Sequence, residues 1–382
     1  MRTLTFMIFF IVVLLVYSSL NYYVFTRGLL VFSCNPAWKK WYSVIFWTLV
    51  SSFLVGMFWE RTASSIMSEW VYRVGAFWLA FFFYFLMILI LIDLIRLADY
   101  FFRFLPDFSP AGKLKLGFFV IGFVSLIVLC GYINALSTRI KEIPLTIHKK
   151  VTGRSDLKIL MASDIHLGAL IGESQELKLV RIINEQKPDL VLLCGDLVDG
   201  DIGPVLRKNL GRHIQEIRTP LGVYAITGNH EYIGGIQNTL PYLKGINIRM
   251  LLDEVVTLPN GIQLVGRDDR DRQRMGGADN PHELKVLTKD LDHTKPVIVM
   301  NHQPFNLEKA VEAGADLHLS GHTHNGQMWP LNYLTEAIFE LSWGLKQKGN
   351  TIFYVSSGFG SWGPPVRIGN YPEVVVFKIK FD

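Results

Sequence analysis

Residues 157–166 read Leu-Lys-Ile-Leu-Met-Ala-Ser-Asp-Ile-His, an apolar run that ends on the polar pair Asp164 and His166. Leu157 to Ala162 has the length of a buried strand, which places the polar residues on the turn that follows it. The arrangement recurs along the chain. Leu190 to Cys194 leads into Gly195-Asp196-Leu197-Val198-Asp199, and Val223 to Thr227 leads into Gly228-Asn229-His230-Glu231. Val297 to Met300 precedes Asn301-His302, and Leu317 to Ser320 precedes Gly321-His322-Thr323-His324. Loops that follow strands converge on one edge of a sheet, where ligands are bound. An α/β fold with mixed sheets is expected.

Asp, His and Asn supply oxygen and nitrogen donors with no thiolate among them. That set suits Mn, Fe or Zn in a catalytic site better than a Cys-rich structural zinc. A carboxylate between two ions bridges them at the ~3.5–4 Å separation of two-metal hydrolytic sites, and Asp196 is the expected bridge.

The blocks Asp-x-His, Gly-Asp-x-x-Asp, Gly-Asn-His-Glu, Asn-His and Gly-His-Thr-His, in this order, resemble those of the calcineurin-like metallophosphoesterase superfamily. The similarity covers residues 144–382, because the tail Ser356-Ser357-Gly358-Phe359-Gly360-Ser361-Trp362-Gly363-Pro364-Pro365-Val366-Arg367 is similar to that of a membrane-associated bacterial branch. The resemblance implies a two-sheet sandwich flanked by helices. It implies that Asp164, His166, Asp196 and His324 hold one divalent cation, and that Asp196, Asn229, His302 and His322 hold a second. Manganese is the metal expected first, with iron or zinc as alternatives. His230 matches the family's histidine that ligates no metal and assists the leaving oxygen. Asp199 and Glu231 match residues that orient ligating or catalytic imidazoles. One departure stands out: Asn325 occupies the position after the second His where this branch commonly has Gly, which bears on loop shape.

At 382 residues the chain is long enough for two or three domains, and with 50% hydrophobic residues and 26 Phe it is apolar enough to place part of itself in a bilayer. Thr3 to Phe25, Trp41 to Trp59, Val71 to Leu94 and Leu116 to Leu136 each approach the ~20 residues that cross ~30 Å of hydrocarbon. Tyr22, Trp41, Trp59, Trp70 and Tyr132 lie at their ends, as interfacial aromatics do. The first stretch reads as a retained anchor, since Ser18 to Asn21 offers no small-x-small cleavage site before a soluble domain. The expected organisation is a transmembrane region over 1–140, with helices at about 3–25, 41–59, 71–94 and 116–136, followed by a catalytic domain over 141–382. Asp93 is the acid near membrane depth, and Arg96 is its expected partner.

Of the 38 Lys and Arg, 14 fall in residues 1–150 with only 6 of the 33 Asp and Glu, which leaves 24 against 27 in the rest. The basicity therefore belongs to the apolar half. The catalytic half carries no basic stripe for a nucleic-acid backbone, which argues against a nuclease. Loop Lys and Arg are nearly balanced between the two sides, so the positive-inside rule assigns the catalytic domain to neither face. Cys34, Cys130 and Cys194 follow no ligand or disulfide spacing. His213, His282, His293 and His318 read as surface or packing residues.

Ile143 to Ile147 is expected as a first or edge strand, and Glu173 to Gln186 and Val205 to Ile217 as amphipathic helices. Ile246–Leu252, Glu254–Leu258, Ile262–Gly266, Thr351–Val355 and Glu373–Ile379 are strand-like. Two loops are candidates for the substrate pocket. One, Arg267 to Gly277, brings Arg267, Arg270, Arg272 and Arg274, whose forks suit phosphate oxygens. The other, Met328 to Gly349, carries Trp329, Tyr333, Phe339, Leu341 and Trp343. The expectation is a membrane-anchored, metal-dependent hydrolase of a phosphodiester, phosphomonoester or pyrophosphate, with lipid-linked phosphates among the substrate classes to test and a bacterial inner membrane as its setting. The alternative is a catalytically idle receptor or scaffold on the same fold. Its signature is missing ligands, and no expected ligand is missing.

Overall fold

The computed structural model describes residues 2–32, 35–246, 248–274 and 282–382. Two compact units divide the chain, residues 1–130 and 131–382. Cys34 and the Met275-Gly276-Gly277 end of the charged loop lie outside the described residues.

The first unit is built from α1 (Arg2–Val31), α2 (Pro36–Thr62), α3 (Ile66–Phe102) and most of α4 (Pro110–Ala135). All four are long and apolar enough to cross a membrane. They run past the purely apolar stretches because a helix continues until something caps it. Asn35 starts α2 by accepting from Ala37 N, and Ser65 starts α3 in a reciprocal capping box with Ser68. The α2 and α3 backbones meet at Gly56 and Gly75, where a methyl group would overlap Tyr72 or Phe53; small residues at such crossings let apolar helices pack closely.

Several polar groups inside this unit pair with one another. Trp78 Nε1 donates to Asn21 Oδ1 at 3.2 Å and Tyr17 OH to Val50 O at 3.0 Å. Asp93 accepts from Arg27 and, at 2.7 Å, from Tyr23 OH. Arg96 stands 3.6 Å away, so the neighbouring helix, not the next turn, supplies the closest cation.

Among the described residues, the second unit holds two six-stranded sheets. Its strands are β1 (Arg139–Ile147), β2 (Asp156–Ala162), β3 (Leu190–Cys194), β4 (Val223–Ile226), β5 (Arg249–Met250), β6 (Glu254–Thr257), β7 (Gln263–Gly266), β8 (Val297–Met300), β9 (Leu317–Ser320), β10 (Gly344–Lys348), β11 (Thr351–Val355) and β12 (Glu373–Phe381). The first sheet runs β1-β12-β2-β3-β4-β5 and the second β10-β11-β9-β8-β7-β6. Pro144 is tolerated in β1 because that strand is an edge and pairs only with β12.

Strand alternation separates the layers. Ile159 and Met161 of β2 join Leu192, Ile298, Leu319 and Phe377 between the sheets. Leu160 and Ala162 face the other way, with Val191 and Leu193, onto Leu179 and Ile183 of α5 (Glu173–Gln186). Val265, Val299 and Phe353 cover the far side of the second sheet with Leu307 and Ala310. Cys194 belongs to the inter-sheet core, where burial pushes its thiol well above the usual range. His318 is buried against Phe353 and held near neutral by burial, its pKa lowered to about 4.

Three local expectations are refined. The helix expected over Val205 to Ile217 breaks into Gly203–Lys208 and a 3-10 turn at Arg212–Glu216, because Asn209 and Gly211 adopt left-handed backbone between them. Of Ile246 to Leu252 only Arg249–Met250 pairs as a strand. The segment after His324 is not one loop but a helix, Leu331–Ile338, and then β10.

Candidate metal centre

The five polar clusters meet at one edge of the two sheets, past the C-terminal ends of β2, β3, β4, β8 and β9. Asp164 N donates to Gly195 O and His166 N to Asp196 O, which ties the first two loops side by side. Asp164, His166, Asp196, His322 and His324 all have positive φ. Left-handed backbone at non-glycine residues costs of order 1–3 kcal/mol each and collects where function demands a fixed side-chain direction. Gly195, at φ +87°, permits the turn between β3 and Asp196, and a Cβ there would sit 2.6 Å from His302 Nδ1.

Among the described residues the side chains converge in three groups: Asp164, His166 and His324; Asp196, His302 and His322; and His166, Asp199 and His230. In the first, His166 Nε2 lies 3.1 Å from His324 Nε2, which is 3.4 Å from Asp164 Oδ1. In the second, His302 Nε2 is 2.9 Å from Asp196 Oδ2, and His322 Nδ1 is 2.9 Å from Asn229 Oδ1. Asp196 Oδ2 faces both, at 3.9 Å from His166 Nε2. Its other oxygen accepts from His230 N at 2.9 Å.

Charge decides what such a cluster can hold. Asp164, Asp196 and Glu231 are buried, with Asp199 largely so. Buried anions need cationic partners. Burial raises the pKa of Asp164, whose Oδ2 has no hydrogen-bond partner among the described residues. Burial opposes protonation of His302, yet Asp196 and Asp164 hold its pKa well above the usual value. His322 and His324 are driven the other way by burial, reinforced by His302 beside the first and His166 beside the second. Converging oxygen and nitrogen donors and a buried carboxylate oxygen without a hydrogen-bond partner among the described residues fit divalent cations.

Around the cluster, Asp199 Oδ1 is 3.0 Å from His230 Nδ1 and 3.8 Å from His166 Nδ1. Burial works against the charged His230, but the carboxylates of Asp196, Asp199 and Glu231 prevail and raise its pKa to about 9. Glu231 acts on backbone: it accepts from Gly228 N at 2.7 Å, Val198 N at 3.0 Å and Asp196 N at 3.1 Å, pinning two loops together.

The arginine loop is largely self-satisfied. Arg267 Nε pairs with Asp253 at 3.0 Å, Arg272 with Asp268 at 2.9 Å and the exposed Arg274 with Asp271 at 3.4 Å. Asp268 also accepts from Tyr232 OH and Thr227 Oγ1. Arg270 differs. Its guanidinium lies 4.3 Å over the Phe305 ring, which packs on Phe339, itself 5.9 Å from the His322 ring.

Arg367 closes the tail motif. Its side chain is fully buried behind His324, with Nη2 3.2 Å from Nδ1 of that ring and donating to the carbonyls of Gly358 and Gly360. Trp362, on the same tail, stands 6.4 Å from the His230 ring and is exposed. Asn325 has φ 47°; it fills the glycine position because Asn tolerates left-handed backbone better than other side chains.

A family model for calcineurin-like phosphoesterases matches residues 157–326. An uncharacterized metallophosphoesterase of Aquifex aeolicus is 36% identical over 66% of this chain and 97% of its own length. One of Campylobacter jejuni is 30% identical over 98% of this chain and 99% of its own. A Bos taurus protein described as a transmembrane protein with metallophosphoesterase domain is 31% identical over 64% of this chain and 58% of its own length. The chain belongs to the calcineurin-like metallophosphoesterase family. Four membrane-capable helices precede its two-sheet unit.

Proposed function

We propose that this protein is a membrane-anchored phosphoesterase that uses two divalent cations, with manganese the first metal to test. Asp164, His166, Asp196 and His324 would hold one, and Asp196, Asn229, His302 and His322 the other, with Asp196 shared. The observation that carries the reading is the placement of Asp196 Oδ2, which faces the donors of both groups from a nearly dry pocket. When bound, such cations supply positive charge to phosphoryl oxygens and make water more acidic.

The protein's own residues supply the rest. His230, held by Asp199 through Nδ1, presents its other nitrogen to the leaving oxygen and donates a proton there. Glu231 keeps the backbone turns of Asp196 and Asn229 in register. Arg270, the one arginine of its loop with no carboxylate partner among the described residues, is assigned to substrate phosphate, while Arg267, Arg272 and Arg274 hold the loop that carries it. The setting is a multi-pass protein of a bacterial cell membrane, and lipid-linked phosphates join soluble esters as substrate classes. The membrane-capable helices support that setting.

The test uses the full chain in detergent with bis(p-nitrophenyl) phosphate and p-nitrophenyl phosphate, with and without added manganese after chelation. Manganese-dependent turnover, lost with bound metal in Asp196→Asn, is expected. A fully loaded protein that turns over neither ester would favour the idle scaffold instead.

A further inference from the structure

Helix Leu331–Ile338 has no buried residue, and its sequence is largely apolar. Tyr333, Leu334 and Ile338 are 61%, 57% and 55% exposed. Leu334 and Ile338 are four residues apart and form one stripe, and Tyr333 is exposed on its flank. A helix that buries no residue in the core and leaves large apolar side chains exposed beside a polar Asn332–Glu336 pair is amphipathic, and its apolar side is suited to contact with something outside it.

What covers it follows from the backbone that leads to it. The last turn of α4, Gly131–Ala135, belongs to the catalytic unit. Asn134 Nδ2 donates to Arg367 O at 2.9 Å and to Asn370 O at 2.6 Å, and Arg367 N donates to Gly131 O at 2.9 Å. The opposite edge of this same strip carries the approach to the apolar helix: Ile368 N donates to Gln327 O at 3.0 Å and Trp329 N to Ile368 O at 2.8 Å. Gln327 also binds Trp362 in both directions, Nε2 to O at 2.8 Å and Oε1 from N at 2.9 Å. The end of a membrane-capable helix, the apolar stripe and the exposed Trp362 at the catalytic mouth thus share one strip of backbone. Basic groups border the α4 end: Arg139, which stacks on Tyr371, and Lys178, which donates to Leu136 O.

We infer that Tyr333, Leu334, Ile338 and Trp362 form a docking face for the lipid–water interface of the bilayer, which sets the mouth of the site at headgroup level. Apolar side chains inserted into the acyl boundary, with cations at the phosphates beside them, are how an interfacial helix binds. The inference concerns binding and stands whether or not the site turns over substrate.

The full chain, with Cys34 and Cys130 replaced by serine, is reconstituted in vesicles of phosphatidylcholine and phosphatidylglycerol. An environment-sensitive fluorophore is attached at Leu334→Cys or, as control, at the exposed Lys289→Cys. Acyl-chain nitroxide lipids should quench the label at 334 at least about threefold more than at 289, with blue-shifted emission at 334. Adding Ile338→Glu and Tyr333→Glu should abolish that difference without altering thermal unfolding, since both residues are exposed. Equal quenching at the two positions would overturn the inference. So would 334-to-334 disulfide cross-linking between copies without lipid quenching, which would assign the stripe to a second copy of the chain.

Discussion

Asp199 Oδ1 holds His230 Nδ1 at 3.0 Å, in a pocket where the same carboxylate also reaches within 3.8 Å of His166. One anion thereby fixes the ring that is assigned to the leaving group and lies beside, without hydrogen-bonding, a ring assigned to a cation. Asp199→Asn should lower kcat by about 10–100-fold while bound metal, measured by elemental analysis, stays within error of the parent. His230→Ala should cost at least as much. The double variant should be no slower than His230→Ala, because Asp199 acts through that ring; additive losses would separate the two roles.

Gly195 bears on the geometry of His302. An alanine there must adopt φ +87° and place its methyl 2.6 Å from His302 Nδ1. We expect Gly195→Ala to destabilise the catalytic unit by about 1–3 kcal/mol and to reduce metal content. Thermal unfolding and elemental analysis on one preparation test this; an alanine variant with parental stability and full metal content would refute it.

Arg270 and Arg272 are two residues apart and have different partners. Arg272 is paired with the buried Asp268, whereas Arg270 lies on Phe305. Arg270→Ala should raise KM severalfold with little change in kcat or melting temperature. Arg272→Ala strands a buried carboxylate and should lower stability by about 3–5 kcal/mol. If Arg270→Ala leaves KM for every phosphoester tested unchanged, the substrate role fails.

In the helical unit, Asp93 takes Arg27 and Tyr23 as partners across α1 and α3. Asp93→Asn should reduce stability in detergent by about 1–2 kcal/mol, and Arg96→Ala should change it less. A larger effect from Arg96→Ala would make the within-helix pair the important one.

The legible part of the fold was the part encoded locally. Runs such as Leu190 to Cys194 name both a strand and the loop after it, so the convergence of Asp196 with Asp164 and His302 could be read before any coordinates. Pairings made across the chain could not. Arg267 looked like part of a phosphate clamp because nothing in its spacing shows Asp253 reaching it from 14 residues earlier. Glu231 looked like an imidazole partner, and only the fold brings the amides of Gly228, Val198 and Asp196 onto its carboxylate. Arg367 ends a run of Gly and Pro, with no local sign that it lies fully buried behind a histidine some forty residues earlier. Helix Leu331–Ile338 was hidden for another reason: Met328 to Gly349 reads as a loop, and nothing local says that Tyr333, Leu334 and Ile338 end exposed on a helix.

The placement of β12 between β1 and β2 has a consequence for how the molecule is made. A ribosome delivers β12 last of the twelve strands, yet β1, the first to emerge, pairs with that strand alone. Until then the leading sheet has an open seam, and Glu373 is not yet there to receive Tyr354, Trp343 and Ser357. A message cut short before Glu373 would therefore yield a chain already threaded through its early helices with its enzyme half unzipped, an evident target for the proteases that clear failed products.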